Sequence, residues 1–536
     1  MPQRKRPRTG VEIPIVWPEG EAPARRGEAL WDFNMPSVGG LQNPQVAEPS
    51  PMLELKRAQS VAKLRQKYAE ACRDVLGLAQ PPADSVDRWI LEQLAQPRRN
   101  PGTSGDPLLP RPRIAETSQV LLRELLAEVP TRCPSRVFGP PALELLQRYH
   151  RNAENWLGRL PHAPTELSDE VEVLGKWIAR NVNGGAQKSR SRGECPYRQK
   201  LDELTEDGGL SACFRPLVEP LALKVVQTMS SNAEALVIEL HTGAKALGPV
   251  DSEPAVSLEE PTQDGRKVEL RFENDTICIS GMHLAKLRKL YELHHPHDEK
   301  SIQQWECVFR RRLYVMLRRY ITFIGLDPAE EGHKGGNMHA AAPEPVFAWL
   351  KARLEVRCEL FASPLNCYFP RFFSAFPDTD AAFGSLGSFF DARALPDGSY
   401  EVGPPYTEEV LELTARRLLE LLLGAGVDNA LSFTLFVPDW EGAAALNLLA
   451  SPAFAAFRRG IAEDAPPFLL APGREHGYVS GVQFFADVGA DSSRRYYVVP
   501  HGTRVYVLQT AAGAQRWPFT TTEARQLLQQ MRPIPS

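Results

Sequence analysis

The segment Leu431-Ser-Phe-Thr-Leu-Phe-Val-Pro438 is apolar at nearly every position. So nearly continuous an apolar strand is predicted to be buried on both faces, as in a parallel sheet covered by helices. A helix is predicted just before it. Thr407 is placed to cap that helix, Glu408 and Glu409 fall in its first turn, and Val410, Leu411, Leu418, Leu421 and Leu422 face inward before Gly424 stops it. Further upstream, the stretch from Val346 to Leu354 reads as a helix, Val356 to Ala362 as a strand, and Tyr400-Glu-Val402 as a short strand. This alternation predicts an α/β domain.

The chain before Pro345 has a different grain. Apolar residues recur at helical spacing over 53–80, 87–91, 119–129, 141–157, 170–180 and 213–240, with a Gly/Ser/basic loop at 181–193. A Pro- and acid-rich linker follows at 248–264. Alternation in Lys267-Val-Glu-Leu-Arg-Phe-Glu273, the Asn274-Asp275 turn and Thr276-Ile-Cys-Ile-Ser280 predict a β-hairpin. The helix predicted over 301–324 carries Arg310, Arg311, Arg312, Arg318 and Arg319, with Arg311 and Arg318 on one face. Such a face is either solvated or meets phosphate.

Residues 1–50 contain eight of the 47 prolines and no sustained apolar period, so they are predicted to form a disordered tail. Its cluster Arg4-Lys-Arg-Pro-Arg8 has the composition of a nuclear address, and no apolar stretch follows it as a secretory leader requires. A nuclear or cytosolic location is therefore expected. No apolar run approaches the roughly 18 residues of a membrane span. Lys+Arg total 62 against 66 Asp+Glu, a formal charge of -4, so any polyanion must be bound by a local patch. The eight cysteines form no CxxC pair, and His294-His-Pro-His297 lacks partners at metal-ligand spacing. No metal is expected.

Two strand ends carry unusual chemistry. Glu359-Leu-Phe-Ala-Ser-Pro-Leu-Asn366 leads from a strand into a turn of small residues, the place where doubly wound sheets bind nucleotide-like ligands. Gly403-Pro-Pro-Tyr406 is one letter from the (Asp/Asn)-Pro-Pro-(Tyr/Phe) signature of enzymes that methylate exocyclic amines. In that signature the prolines make a rigid turn, the aromatic ring stacks on the base, and the Asn or Asp with a backbone carbonyl accepts from the amine.

Phe361-Ala-Ser-Pro-Leu-Asn-Cys-Tyr-Phe369, Ser374-Ala-Phe-Pro-Asp-Thr-Asp380, Phe383-Gly-Ser385, Gly403-Pro-Pro-Tyr406 and Phe436-Val-Pro-Asp-Trp440 occur in this order, after Asp87-Arg-Trp89, Gly105-Asp-Pro-Leu-Leu-Pro110 and Arg318-Arg-Tyr320. Over roughly residues 50–530 the chain resembles the cap-specific mRNA (2′-O-methyladenosine-N6-)-methyltransferases, the phosphorylated-CTD-interacting factor family. The resemblance implies a class I (Rossmann-like) α/β methyltransferase domain preceded by a mostly helical domain. It also implies use of S-adenosylmethionine to methylate N6 of the cap-adjacent 2′-O-methyladenosine. The expected division is a tail at 1–50, a helical RNA-binding domain at 51–325 and the methyltransferase domain at 326–536.

By position, the resemblance places the methyl-donor and base pocket at Gly403, Pro404, Pro405 and Tyr406. It puts Glu408, Trp440, Glu441, Gly442, Ala443 and Ala444 near the capped RNA, and matches Arg88 and Arg123 to RNA-contacting arginines. Ser363, Asn366, Asp378 and Asp380 are further expected methyl-donor contacts, with a turn and helix cap as the alternative for the two aspartates. The family's implied partner, besides capped mRNA, is the phosphorylated C-terminal domain of RNA polymerase II. That partnership is associated with a WW module, for which Trp17 and Trp31 lie too close together. The family's Asn-Pro-Pro-Phe reads Gly-Pro-Pro-Tyr here, removing the side-chain carbonyl that holds the amine. The alternatives are a catalytically impaired protein that binds capped RNA or the polymerase tail, and an enzyme with room for a second methyl group.

Overall fold

The protein is described by a computed structural model covering residues 11–12, 31–34, 44, 48–78, 80–95, 106–110, 118–126, most of 147–158, 165–184, 209–259, 267–297, 301–325, 339–440, 442–460, 468–470, 476–479, 481, 496–498 and 501–531. It divides into two compact units. One comprises residues 1–58, 94–104 and 246–536, and the other 59–93 and 105–245. This differs from the expected boundary at 325. Residues 246–325 hold the hairpin and the arginine-rich helix, and they group with the sheet.

The second unit is helical. Its elements include α1 (Pro51–Ala71) from Gln59 onward, α2 (Ser85–Ala95), α3 (Gln119–Leu126), α4 (Thr165–Gly184) and α5 (Gly209–Lys245). Leu64, Tyr68, Trp89, Leu121, Leu125 and Met229 are buried within it. α2, α4 and α5 overrun the apolar periods read from the sequence by two to five residues at each end, whereas the α-helix within the period read over 53–80 ends at Ala71.

The first unit is built on a mixed sheet. β1 (Cys358–Glu359), β2 (Gly398–Val402) and β3 (Leu431–Pro438) run parallel. β4 (Phe468–Leu470) comes next in the chain, but β5 (Thr503–Gln509) lies between β3 and β4 and runs antiparallel to both. Parallel bridges Glu359↔Phe372 and Phe372↔Ser385 extend the other edge. The strand expected over 356–362 is therefore only two residues long, although Leu360 N–H still donates to Glu401 O at 2.9 Å before the chain turns away.

Helices cover both faces. On one side α6 (Glu408–Leu423) and α7 (Ala444–Ala450) pack Leu411, Ala415, Leu418, Leu446 and Leu449 against Tyr400, Phe433 and Leu435. Thr407 Oγ1 accepts from Val410 N–H, capping α6 as its sequence predicts. On the other side Phe347 and Leu350 from residues 344–354 and Leu527 and Leu528 from 521–530 meet Phe436, Val505 and Val507. Every residue of β3 is buried, the polar Ser432 and Thr434 included.

The tail expectation fails for the part of 1–50 that is described beyond residue 30. Asp32 N–H donates to Tyr368 O at 2.8 Å, Asp32 pairs with Lys351, and Phe33 is buried. Glu48 pairs with Arg311 at 3.2 Å and Arg312 at 3.4 Å. Aromatic and acidic side chains between the prolines have partners on the folded unit, which composition averaged over fifty residues concealed. Val11–Glu12 also runs parallel beside Phe468–Leu469. The basic cluster Arg4–Arg8 lies outside the described residues.

The arginines of the helix Ile302–Ile324 are committed to carboxylates. Arg318 binds Asp275 at 2.8 Å, Arg310 binds Glu306 at 2.8 Å, and Arg319 is enclosed between Glu54 and Asp378. The helix is thus tied by ion pairs within its own unit.

Candidate functional site

A cleft opens at the carboxyl ends of β1 and β2. Gly403-Pro-Pro-Tyr406 forms one side, immediately after β2, and Asn366 lies opposite, held by a hydrogen bond from its Nδ2 to His339 O at 3.1 Å. Ala340, Ala341, Phe347 and Phe361 supply apolar walls. This is where a parallel sheet opens a crevice, because the chain leaves successive strands in different directions there.

The floor is polar. Glu359 and Glu401 are register partners in adjacent parallel strands, so their side chains lie side by side on one face. Both line the cleft and both are almost wholly buried. Glu359 Oε1 accepts from the backbone N–H groups of Tyr368 and Phe369 at 2.8 and 2.9 Å, yet burial still pushes its carboxyl up to about 7. The Glu401 carboxyl receives no hydrogen bond among the described residues. Burial first, and then the neighbouring Glu359 charge, hold it well above the usual carboxylate range. Thr434, the next register partner of Glu401, has a buried hydroxyl with no hydrogen-bond partner among the described residues.

Tyr406 connects the turn to a hydroxyl chain. Its phenol lies 2.7 Å from that of Tyr478, which approaches Thr503 Oγ1 at 3.4 Å, and Thr503 in turn meets His476 Nε2 at 2.9 Å. Burial pushes the Tyr478 phenol up to about 12, so it stays a neutral hydrogen-bonding group. The Tyr406 ring has Trp440 edge-on at 6.4 Å and His501 at 5.6 Å, an aromatic cluster beside the Pro-Pro turn. Burial also lowers the His501 imidazole, keeping a neutral ring there.

The other expected residues distribute unevenly. Ser363 is buried behind Asn366, its N–H and hydroxyl both directed at Asn366 Oδ1, so it positions that side chain rather than lining the cleft. Asp378 and Asp380 are not brought to the cleft. Asp378 accepts from both terminal nitrogens of Arg319, and Asp380, fully buried, accepts from Tyr320 at 2.6 Å and Thr379 at 2.8 Å. Their chemistry is absorbed by the helix behind them, which the local turn pattern did not disclose. Glu408 is exposed in the first turn of α6, while Gly442 and Ala443 lead into α7, which begins at Ala444. Glu441 lies outside the described residues.

Arg88 and Arg123 sit in the helical unit and come together there. Both donate to the single buried carboxylate of Glu124, at 2.8 and 3.2 Å, leaving each guanidinium partly exposed. Among the described residues no group of His, Cys, Asp and Glu is arranged to hold a metal, and no helix is long and apolar enough to cross a membrane. Sequence reasoning missed Glu401, Tyr478 and His501. For Glu401 there was a signal: a lone acid in the middle of a strand otherwise fit for burial.

The family profile described as "Phosphorylated CTD interacting factor 1 WW domain" matches residues 286–481, a segment that contains all the lining residues of the cleft. The "mRNA (2′-O-methyladenosine-N(6)-)-methyltransferase" of Homo sapiens is 29% identical over 530 residues, spanning 94% of this chain and 70% of the human protein. The Mus musculus protein of the same name matches to the same extent. The likeness to these cap-specific mRNA adenosine-N6-methyltransferases runs through nearly the whole chain, and the profile falls on the cleft.

Proposed function

We propose that this protein methylates N6 of the cap-adjacent 2′-O-methyladenosine of mRNA, with S-adenosylmethionine as donor. The observation that carries the reading is the Gly403-Pro-Pro-Tyr406 turn, set at the carboxyl end of a central parallel strand and opening into a cleft. The sheet supports a class I methyltransferase domain, since it is parallel except for β5, inserted antiparallel next to the last strand.

The residues present fit the donor. The cleft combines apolar walls with two buried acids, and among the described residues the carboxyl of Glu401 and the hydroxyl of Thr434 lack partners of their own. Asn366 and the 403–406 turn would hold the methyl donor, and Tyr406 with Trp440 would take the base. When bound, S-adenosylmethionine supplies an electrophilic methyl group on a positively charged sulfur. The protein's own task is then to orient the amine and exclude water, since such a transfer needs alignment more than it needs a protein nucleophile. Arg88 and Arg123, both partly exposed, suit the cap phosphates, which a guanidinium meets with paired donors.

Nuclear residence through Arg4–Arg8 and binding to the phosphorylated polymerase tail extend this reading. The test incubates purified protein with labelled S-adenosylmethionine and adenosine-initiated RNA, capped or uncapped. Transfer confined to N6 of the capped RNA is expected. Binding of capped RNA without transfer would replace the enzyme by a binding protein, the reading that the missing side chain at Gly403 favours.

A further inference from the structure

Position 403 is occupied in space, though not by its own residue. The backbone there is outside the left-handed region, so nothing in its conformation calls for glycine. A Cβ added to Gly403 would instead lie 2.8 Å from Glu401 Oε1, the nearest heavy atom. The carboxyl of the residue two places earlier thus fills the volume into which a side chain at 403 would project. That carboxyl lines the cleft, is 3% exposed, and has no hydrogen-bond partner among the described residues. A buried polar group without a partner is costly, and this one is aimed where a ligand enters.

We propose that the Glu401 carboxyl is the group that holds the 6-amino edge of the adenine, with Gly403 kept small to make room for it. The inference rests on the adenosine-methylating reading above and names the side chain that orients the amine. A neutral carboxyl has one acceptor and one donor. Its carbonyl oxygen accepts from the 6-amino N–H while its O–H donates to ring N1, which satisfies both partners at once. The environment favours the neutral form, because the site is buried and Glu359 lies beside it in register. The same pairing leaves the second amine hydrogen and the nitrogen lone pair free to face the methyl donor.

The experiment measures affinity, so it does not depend on turnover. Capped RNA beginning with 2′-O-methyladenosine is compared with the same RNA beginning with 2′-O-methyl purine riboside, which lacks only the amine. The unaltered protein is expected to prefer the adenosine RNA by about tenfold, the size of one buried group left unpaired. Glu401→Gln, which keeps an acceptor and a donor, retains the preference, and Glu401→Ala abolishes it. Gly403→Ala, whose methyl displaces the carboxyl while leaving Glu401 in place, also abolishes it. A preference that survives in Glu401→Ala, is lost equally in Glu401→Gln, or is absent from the unaltered protein overturns the inference. Failure of methyl transfer by the unaltered protein is a separate result, and strikes the preceding reading instead.

Discussion

At the scale of single residues, Tyr406 and Glu359 are groups of the site with defined hydrogen-bond partners. Tyr406 donates to or accepts from Tyr478 at 2.7 Å, so Tyr406→Phe removes one hydrogen bond while keeping the ring. A loss of about 1 kcal/mol in urea unfolding is expected, with methylation largely retained, whereas Tyr406→Ala abolishes it. Glu359 makes a pH prediction. Its folded-state carboxyl is pushed by burial to about 7, above the ordinary 4.5 of an unfolded chain. The native state therefore holds the proton more tightly, and this group's contribution to stability is full below about pH 4.5 and lost as pH rises through about 7. Glu359→Gln can still accept from Tyr368 and Phe369 but cannot ionise, so the melting temperature should fall less between pH 5 and 8 than in the unaltered protein. Little of this was legible beforehand. The Gly-Pro-Pro-Tyr turn is a local pattern and could be read, but the pairing of Glu359 with Glu401 depends on register across a crossover, and Tyr478 comes from 72 positions farther along the chain.

Elements were legible where their causes are local. The Thr407 cap, the acidic first turn and the apolar stripe specify α6 within one stretch of sequence, and the hairpin of 267–272 with 275–280 follows from its alternation. What the arginine-rich helix does with its charges was not, because Glu54 and Asp378 lie 265 and 59 residues from Arg319. Arg319 is 1% exposed, and Arg319→Met would leave Glu54, equally buried, with Arg57 as its remaining cationic partner. Removing one partner of a buried ion pair costs about 3–5 kcal/mol; with Arg57 still beside Glu54 a loss toward the lower end is expected, measurable as a lower urea midpoint. In the helical unit, Arg88→Ala and Arg123→Ala should each lower the salt dependence of capped-RNA binding, by roughly one unit of slope for every phosphate that is no longer neutralised. Since Glu124 is buried between them, Arg88→Ala is also expected to lower the melting temperature. An unchanged slope in both variants would remove these arginines from the RNA surface.

For the whole molecule, composition pointed to a tail, a helical half and an α/β half, and the compact units cut across that order. Residues 246–325 belong with the sheet because their hydrogen bonds and ion pairs go there, a long-range fact invisible to any sequence window. Address is a whole-chain property as well. A chain beginning at Val11 lacks Arg4–Arg8 and is expected to redistribute from nucleus to cytoplasm, which imaging of the truncated protein would check. The position of β5 has a further consequence, for biosynthesis. The strand that separates β3 from β4 is made after both of them. At roughly 5–20 residues per second, a ribosome leaves the edge of β3 uncovered for several seconds before residues 503–509 emerge. That edge is apolar except at Ser432 and Thr434, so the nascent chain is expected to need chaperones during this interval, and a message cut short near codon 500 should yield aggregates rather than a smaller folded enzyme.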